Sequence, residues 1–221
     1  MAADDDKAYY WDYIHGDIAV QRNGDMEITE SQRFVFTRGT FTFAYRDIPL
    51  DRVERVDNIW VEENGQRVGR TEVSTVGSSL RVKWYYPTTS NASRTFNIHY
   101  VVHGGLRIYE GGDQVWWKAI FPDRDFPVRS SRVTVHLPAP VAPSDLKVAS
   151  YGTPAESSII DPQTVLFTAT NIPPRAELEV RVQFPHGLVS ASAPAWQAGA
   201  GGARPPGAAR AGTRRPRKRT A

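Results

Sequence analysis

The chain has 221 residues, enough for one large domain or two small ones, and it contains no cysteine. A disulfide framework, a thiolate metal site and a cysteine nucleophile are therefore excluded. The net charge of +3 is local: seven basic residues and no acid lie between Ala198 and Ala221, and 20 basic and 24 acidic residues remain in 1–197, a charge of −4. A mildly acidic body offers no basic groove, so nucleic acid is not an expected partner of the folded part.

Residues 1–12 open with Met1-Ala2-Ala3-Asp4-Asp5-Asp6-Lys7 and read as a polar N-terminal leader without the apolar stretch of a signal peptide. From Tyr13 onward, period-2 alternation dominates and helical periodicity is nearly absent. Ile18 and Val20 alternate with polar neighbours up to Asn23-Gly24, and Met26 and Ile28 resume the pattern. Asn-Gly between alternating segments predicts a hairpin, because both residues tolerate positive φ. The signal recurs at Asn64-Gly65, between Ile59-Trp60-Val61 and Val68. It recurs again at Gly111-Gly112, between Leu106–Tyr109 and Val115-Trp116-Trp117.

Further strands are predicted where apolar residues share a face: Val82, Trp84 and Tyr86; Phe96, Ile98, Tyr100 and Val102; Val133, Val135 and Leu137; Val165 and Phe167; Leu178, Val180, Val182 and Phe184. The proline cluster Pro138–Pro143 cannot sit in a central ladder and marks a connection that crosses between sheets. These features predict an all-β protein, an antiparallel β-sandwich. The division falls into a first β lobe over 13–126 and a second over 127–190, with one domain over 13–190 as the alternative. Residues 191–221 are predicted to be a disordered basic tail. From Ala198 it holds no apolar side chain larger than alanine and cannot offset chain entropy. No run of 18 apolar residues exists, so the chain encodes no transmembrane helix.

No catalytic, cofactor or metal motif stands out. His99 and His103 share one face of a strand, but four residues at ~3.3 Å place them about 13 Å apart, too far to ligate one ion. His15, His136 and His186 show no chelating spacing. Asp123 and Asp125 could flank a calcium ion, yet Arg124 between them argues against it. Gly77-Ser78-Ser79 reads as a turn rather than a nucleophile elbow. Trp116 and Trp117 must point to opposite faces of their strand, one into the core and one outward or into the contact between lobes. They are candidate interaction residues, with packing between the lobes as the preferred role.

Several stretches, in order, resemble the N-terminal domain of the YciQ-like predicted membrane proteins of bacteria, a family of unknown function. They are Ile18–Glu30 with its Asn-Gly turn, Gly39–Pro49 with its Arg-x-Ile-Pro ending, Phe96–Val101 followed by Leu106–Trp117, Val133–Pro138, and Ala176–Pro185. The resemblance covers about residues 9–190. It implies an extracytoplasmic module with a signal peptide before it and membrane helices after it, neither of which this sequence contains. The family has no established catalytic residues. Arg46 and Asp47, the polar pair of the Arg-x-Ile-Pro segment, are candidate interaction residues for which an ion pair or a turn cap is the expected role.

The expectation is thus a non-enzymatic binding, sensing or assembly module at the cell envelope, without a cofactor, whose partner is an unidentified envelope protein or ligand. One alternative is an envelope hydrolase with a site between the lobes. Another is a soluble protein that binds nucleic acid through its basic tail. Because Ala, Gly, Pro and Arg have GC-rich codons, residues from about Ala198 onward are also read as a frameshift product or truncation. A downstream nucleotide sequence with no frame encoding an apolar segment would refute that.

Overall fold

The computed structural model describes residues 7–199. Among these residues fourteen strands follow one another. The first eight are β1 (Ala8–Val20), β2 (Met26–Arg38), β3 (Phe41–Pro49), β4 (Arg55–Glu63), β5 (Gln66–Arg67), β6 (Thr71–Val76), β7 (Ser79–Thr89) and β8 (Ser93–His103). Then come β9 (Asp113–Ile120), β10 (Val128–His136), β11 (Lys147–Gly152), β12 (Glu156–Asp161), β13 (Thr164–Ile172) and β14 (Leu178–Phe184). A short helix, α1 (Ala195–Gly199), closes the described chain.

Eight strands form one sheet in the order β12-β13-β10-β1-β2-β8-β4-β5, and two three-stranded sheets, β11-β14-β9 and β3-β7-β6, make the second layer. Alternation explains the arrangement. Residues 26, 28, 30, 32, 34 and 36 of β2 are all buried, while their neighbours face out. Ile18, Ile28 and Tyr100 lie in register across β1, β2 and β8, and Val135 lies opposite Val165 across β10 and β13. The large sheet therefore has one continuous apolar face. Trp84 and Tyr86 of β7 bring the sheet β3-β7-β6 onto Phe96 of that face. Trp117 of β9 brings the other small sheet onto Tyr100. Both small sheets thus cover the same side, and the fold is an all-β sandwich.

The predicted hairpins form at Asn23-Gly24 and at Asn64-Gly65, where Asn64 and Gly65 have φ of 53° and 74°. At Gly111-Gly112 the hairpin shrinks to one bridge, Arg107 with Gln114. The ladder stops there because its next backbone groups are taken by side chains. The Tyr109 amide donates to Asp113, and both backbone groups of Ile108 bond the Gln197 amide. The proline segment does cross layers, leading through a 3₁₀ turn at Pro143–Asp145 from β10 in the large sheet to β11 in a small one.

Some sequence expectations need correcting. One strand pair is parallel: β1 with β10, starting where the Trp11 amide bonds the Pro127 carbonyl. The eight-stranded sheet consequently runs across the boundary near Phe126-Pro127. The leader ends earlier than residue 12, since Ala8 already pairs with Arg38 and Trp11 is in the core. The tail expected from residue 191 is packed as far as it is described: Trp196 donates to the Gly104 carbonyl, and the Ala195 amide donates to Glu54. The acidic start, residues 1–6, and the basic run from residue 200 lie outside the described residues, as does the frameshift reading.

Candidate functional site

The alternation that builds the sandwich separates the four candidate residues into two pairs. Arg46 and Trp117 point inward between the layers, whereas Asp47 and Trp116, their chain neighbours, point outward. Inside, Arg46 is 1% exposed and meets Glu30 of β2 through two hydrogen bonds, Nε to Oε2 at 2.8 Å and Nη2 to Oε1 at 2.9 Å. Tyr100 donates to the same carboxylate at 2.6 Å, and Gln32 donates to it at 3.1 Å while accepting from the Trp11 indole. The Arg46 guanidinium also lies 4.4 Å from the centre of the Phe121 ring. Burial together with the Glu30 charge pushes the Tyr100 hydroxyl well above its ordinary range, so it remains a donor. Arg46 is thus held in a buried ion pair, and only the interior of the sandwich reaches it.

Outside, Asp47 accepts two hydrogen bonds from Arg81 of β7, both at 2.7 Å. Arg81 in turn lies 4.3 Å from the centre of the Tyr45 ring. In the next positions of the same face, Lys83 Nζ is 4.1 Å from the Phe43 ring and Arg70 is 4.1 Å from the Tyr85 ring. Phe43 and Tyr45 remain 42% and 47% exposed. The outer face of the sheet β11-β14-β9 repeats the theme. Trp116 stacks on Tyr151 at 4.9 Å, Arg107 covers it at 3.8 Å, and its indole N–H donates to Glu179. Both faces are outer faces of the second layer, and both combine aromatic rings with cations.

The histidines are tied up locally. Both ring nitrogens of His103 contact carboxylates, Asp25 and Asp57, each at 2.9 Å. The hydrogen bond from His103 holds the Asp57 carboxyl below its ordinary range. His103 and Asp25 border an open cleft of about 430 Å³ beneath Ser190–Pro194. In this arrangement each ring nitrogen of His103 faces a carboxylate rather than a hydroxyl. His99 stacks on Trp60 at 3.7 Å and bonds Thr29, and its burial lowers its pKa. Arg124 turns inward to bond the Phe126 and Ala176 carbonyls, and burial without a carboxylate partner lowers its pKa to about 10. The loop is therefore organised around a cation rather than around Asp123 and Asp125, and Asp125 pairs with Arg175 instead. Among the described residues no group of three His, Asp or Glu side chains is placed to hold a metal ion.

The sequence reading missed Glu30 and Gln32, although a signal existed. Both are polar residues in phase with Met26, Ile28, Phe34 and Phe36, and a carboxylate at such a position must find a partner. It also missed the exposed ring pair Phe43 and Tyr45, whose segment entered only through the family resemblance.

The sequence model for the N-terminal domain of the DUF2207 predicted membrane proteins matches residues 13–184. The chain belongs to that family. DUF2207 describes membrane-protein domains of unknown function, and the YciQ-like resemblance agrees with it. Among the described residues of this DUF2207 domain, no helix is long and apolar enough to cross a membrane. No curated protein matches it. Solved structures share the fold at low identity. LTA4 hydrolase of yeast, in complex with Bestatin, gives a TM-score of 0.56 at 10% identity, over 80% of this chain and 29% of that one. A candidate nutrient-binding protein of Legionella pneumophila gives 0.55 at 14%, over 79% and 66%. A candidate protease of Parabacteroides distasonis gives 0.50 at 10%, over 80% and 40%. The chain thus spans less than two thirds of each of these proteins.

Proposed function

We propose that this DUF2207 domain is a non-enzymatic binding or assembly module on the extracytoplasmic face of the bacterial membrane. The observation that carries the reading is the outer face of β3-β7-β6, where Phe43 and Tyr45 stay exposed on a rigid sheet. Solvent-facing aromatic area of this kind forgoes roughly 25 cal/mol per Å² that burial would gain, and it recurs at sites of association. The hydrolase alternative has its nearest foothold at His103, and the engagement of both its nitrogens by carboxylates favours a structural role there. The nucleic-acid alternative rests on residues outside those described.

A membrane-impermeant, amine-reactive crosslinker applied to spheroplasts carrying the full protein tests this. Lys83 is expected to crosslink to another envelope component before lysis, and Phe43→Ser with Tyr45→Ser is expected to abolish the product. Labelling only after lysis would place the domain on the other side of the membrane. Hydrolysis of envelope material that is lost in His103→Asn would establish the enzyme instead.

A further inference from the structure

We propose that the aromatic and cationic side of the second layer rests on an anionic lipid bilayer surface, with Phe43, Tyr45 and Tyr85 at the level of the headgroups. This rests on the binding-module reading and names its partner. Two properties point to a bilayer. First, the exposed rings of Phe43 and Tyr45 and the half-buried ring of Tyr85 are each accompanied by a cation: Lys83 lies 4.1 Å from the Phe43 ring and 4.9 Å from the Tyr85 ring, Arg81 covers Tyr45, and Arg70 covers Tyr85. An amphipathic ring beside a long cationic chain is the combination that settles at a membrane interface, where the ring lies among the headgroups and the cation reaches the phosphates.

Second, the charge is unbalanced toward the cations. Arg70 and Arg81 are each held by one carboxylate, Glu72 and Asp47. Among the described residues no ion pair within 4.0 Å is formed by Lys83, which lies across from Glu72, or by Arg107 and Arg181 around Trp116 in the other small sheet, where Glu179 and Glu177 pair with Lys118. These partly exposed cations outnumber the carboxylates beside them, and Arg in particular binds phosphate well. Exposed rings and cations recur on the outer faces of both small sheets, and the family is one of membrane proteins, so a bilayer is the extended anionic surface that such a domain meets.

The basic run from Arg204 to Arg219 would itself attract anionic lipid and must be silenced in the test. We would therefore use the full chain with those seven basic residues changed to glutamine. Sedimentation with phosphatidylcholine vesicles, with and without phosphatidylglycerol, reads the partition. The expected result is binding to the mixed vesicles that weakens with salt, and a drop of roughly tenfold or more in Phe43→Ser/Tyr45→Ser/Lys83→Ser, because two partly buried rings and one charge are removed. An unchanged melting temperature shows that the triple variant is folded. Equal binding by the triple variant would overturn the proposal, as would binding that disappears when only the tail is neutralised. If vesicles fail while Lys83 still crosslinks to an envelope protein in spheroplasts, the bilayer is refuted and the binding module stands.

Discussion

Replacing Arg46 with methionine removes the cation of a fully enclosed pair while keeping most of the side-chain volume. Glu30 would remain between the layers with only Tyr100 and Gln32 as donors, having lost hydrogen bonds of 2.8 and 2.9 Å. Stranding one charge of a buried pair costs about 3–5 kcal/mol. For a domain of this size that lowers the melting temperature by roughly 6–20 °C, at about 2–4 °C per kcal/mol. Urea unfolding should show the loss as a shifted midpoint with an unchanged slope. The double variant Glu30→Met/Arg46→Met removes both charges. It leaves Tyr100 and Gln32 without their acceptor, a cost of about 1–3 kcal/mol, so it should be more stable than Arg46→Met alone. A cost below about 1 kcal/mol for Arg46→Met, or a double variant as costly as the sum of the singles, would refute the assignment of this pair as a coupled buried unit.

Gly152 has φ +80°, and a Cβ there would collide with the Glu177 carbonyl oxygen. Gly152→Ala should therefore cost about 2–4 kcal/mol by thermal denaturation, against about 1 kcal/mol for Gly77→Ala, whose Cβ would meet open space. Acidification should destabilise the domain between about pH 7 and 5, because burial lowers the pKa of His15 and His99 while the unfolded chain takes up those protons near about pH 6.5. His99→Asn should flatten that dependence of the urea midpoint on pH. Trp196→Ala removes the indole bond to the Gly104 carbonyl and should free the neighbouring Gln197, so hydrogen exchange at the Ile108 amide should accelerate roughly tenfold while the core strands keep their protection.

Much of the strand inventory was legible because one face of nearly every long strand is buried, and burial on one face writes period-2 alternation directly into the residues. Val82-Trp84-Tyr86 and Phe96-Ile98-Tyr100-Val102 are examples, and both sets are fully or nearly fully buried. The edge strands β6 and β12 were not seen, since most of their residues face solvent on both sides and no alternation is imposed. Short-range chemistry was legible too: Asn64-Gly65 turns because of what those two residues permit, whatever surrounds them.

Of the candidate site, the sequence determined by itself that Trp116 and Trp117 must part company, because neighbours in a strand face opposite ways; the same separation of Arg46 and Asp47 is visible only in the structure. Which member of each pair goes inside was decided only by the tertiary structure. Arg46 is buried because Glu30, 16 residues away in the chain, lies across from it, and Trp117 because Tyr100 does. The same holds for the parallel pairing of β1 with β10 and for the side-by-side placement of the two small sheets. Such contacts join residues remote in sequence, and their energies depend on shape and charge across the layers, which no local pattern records.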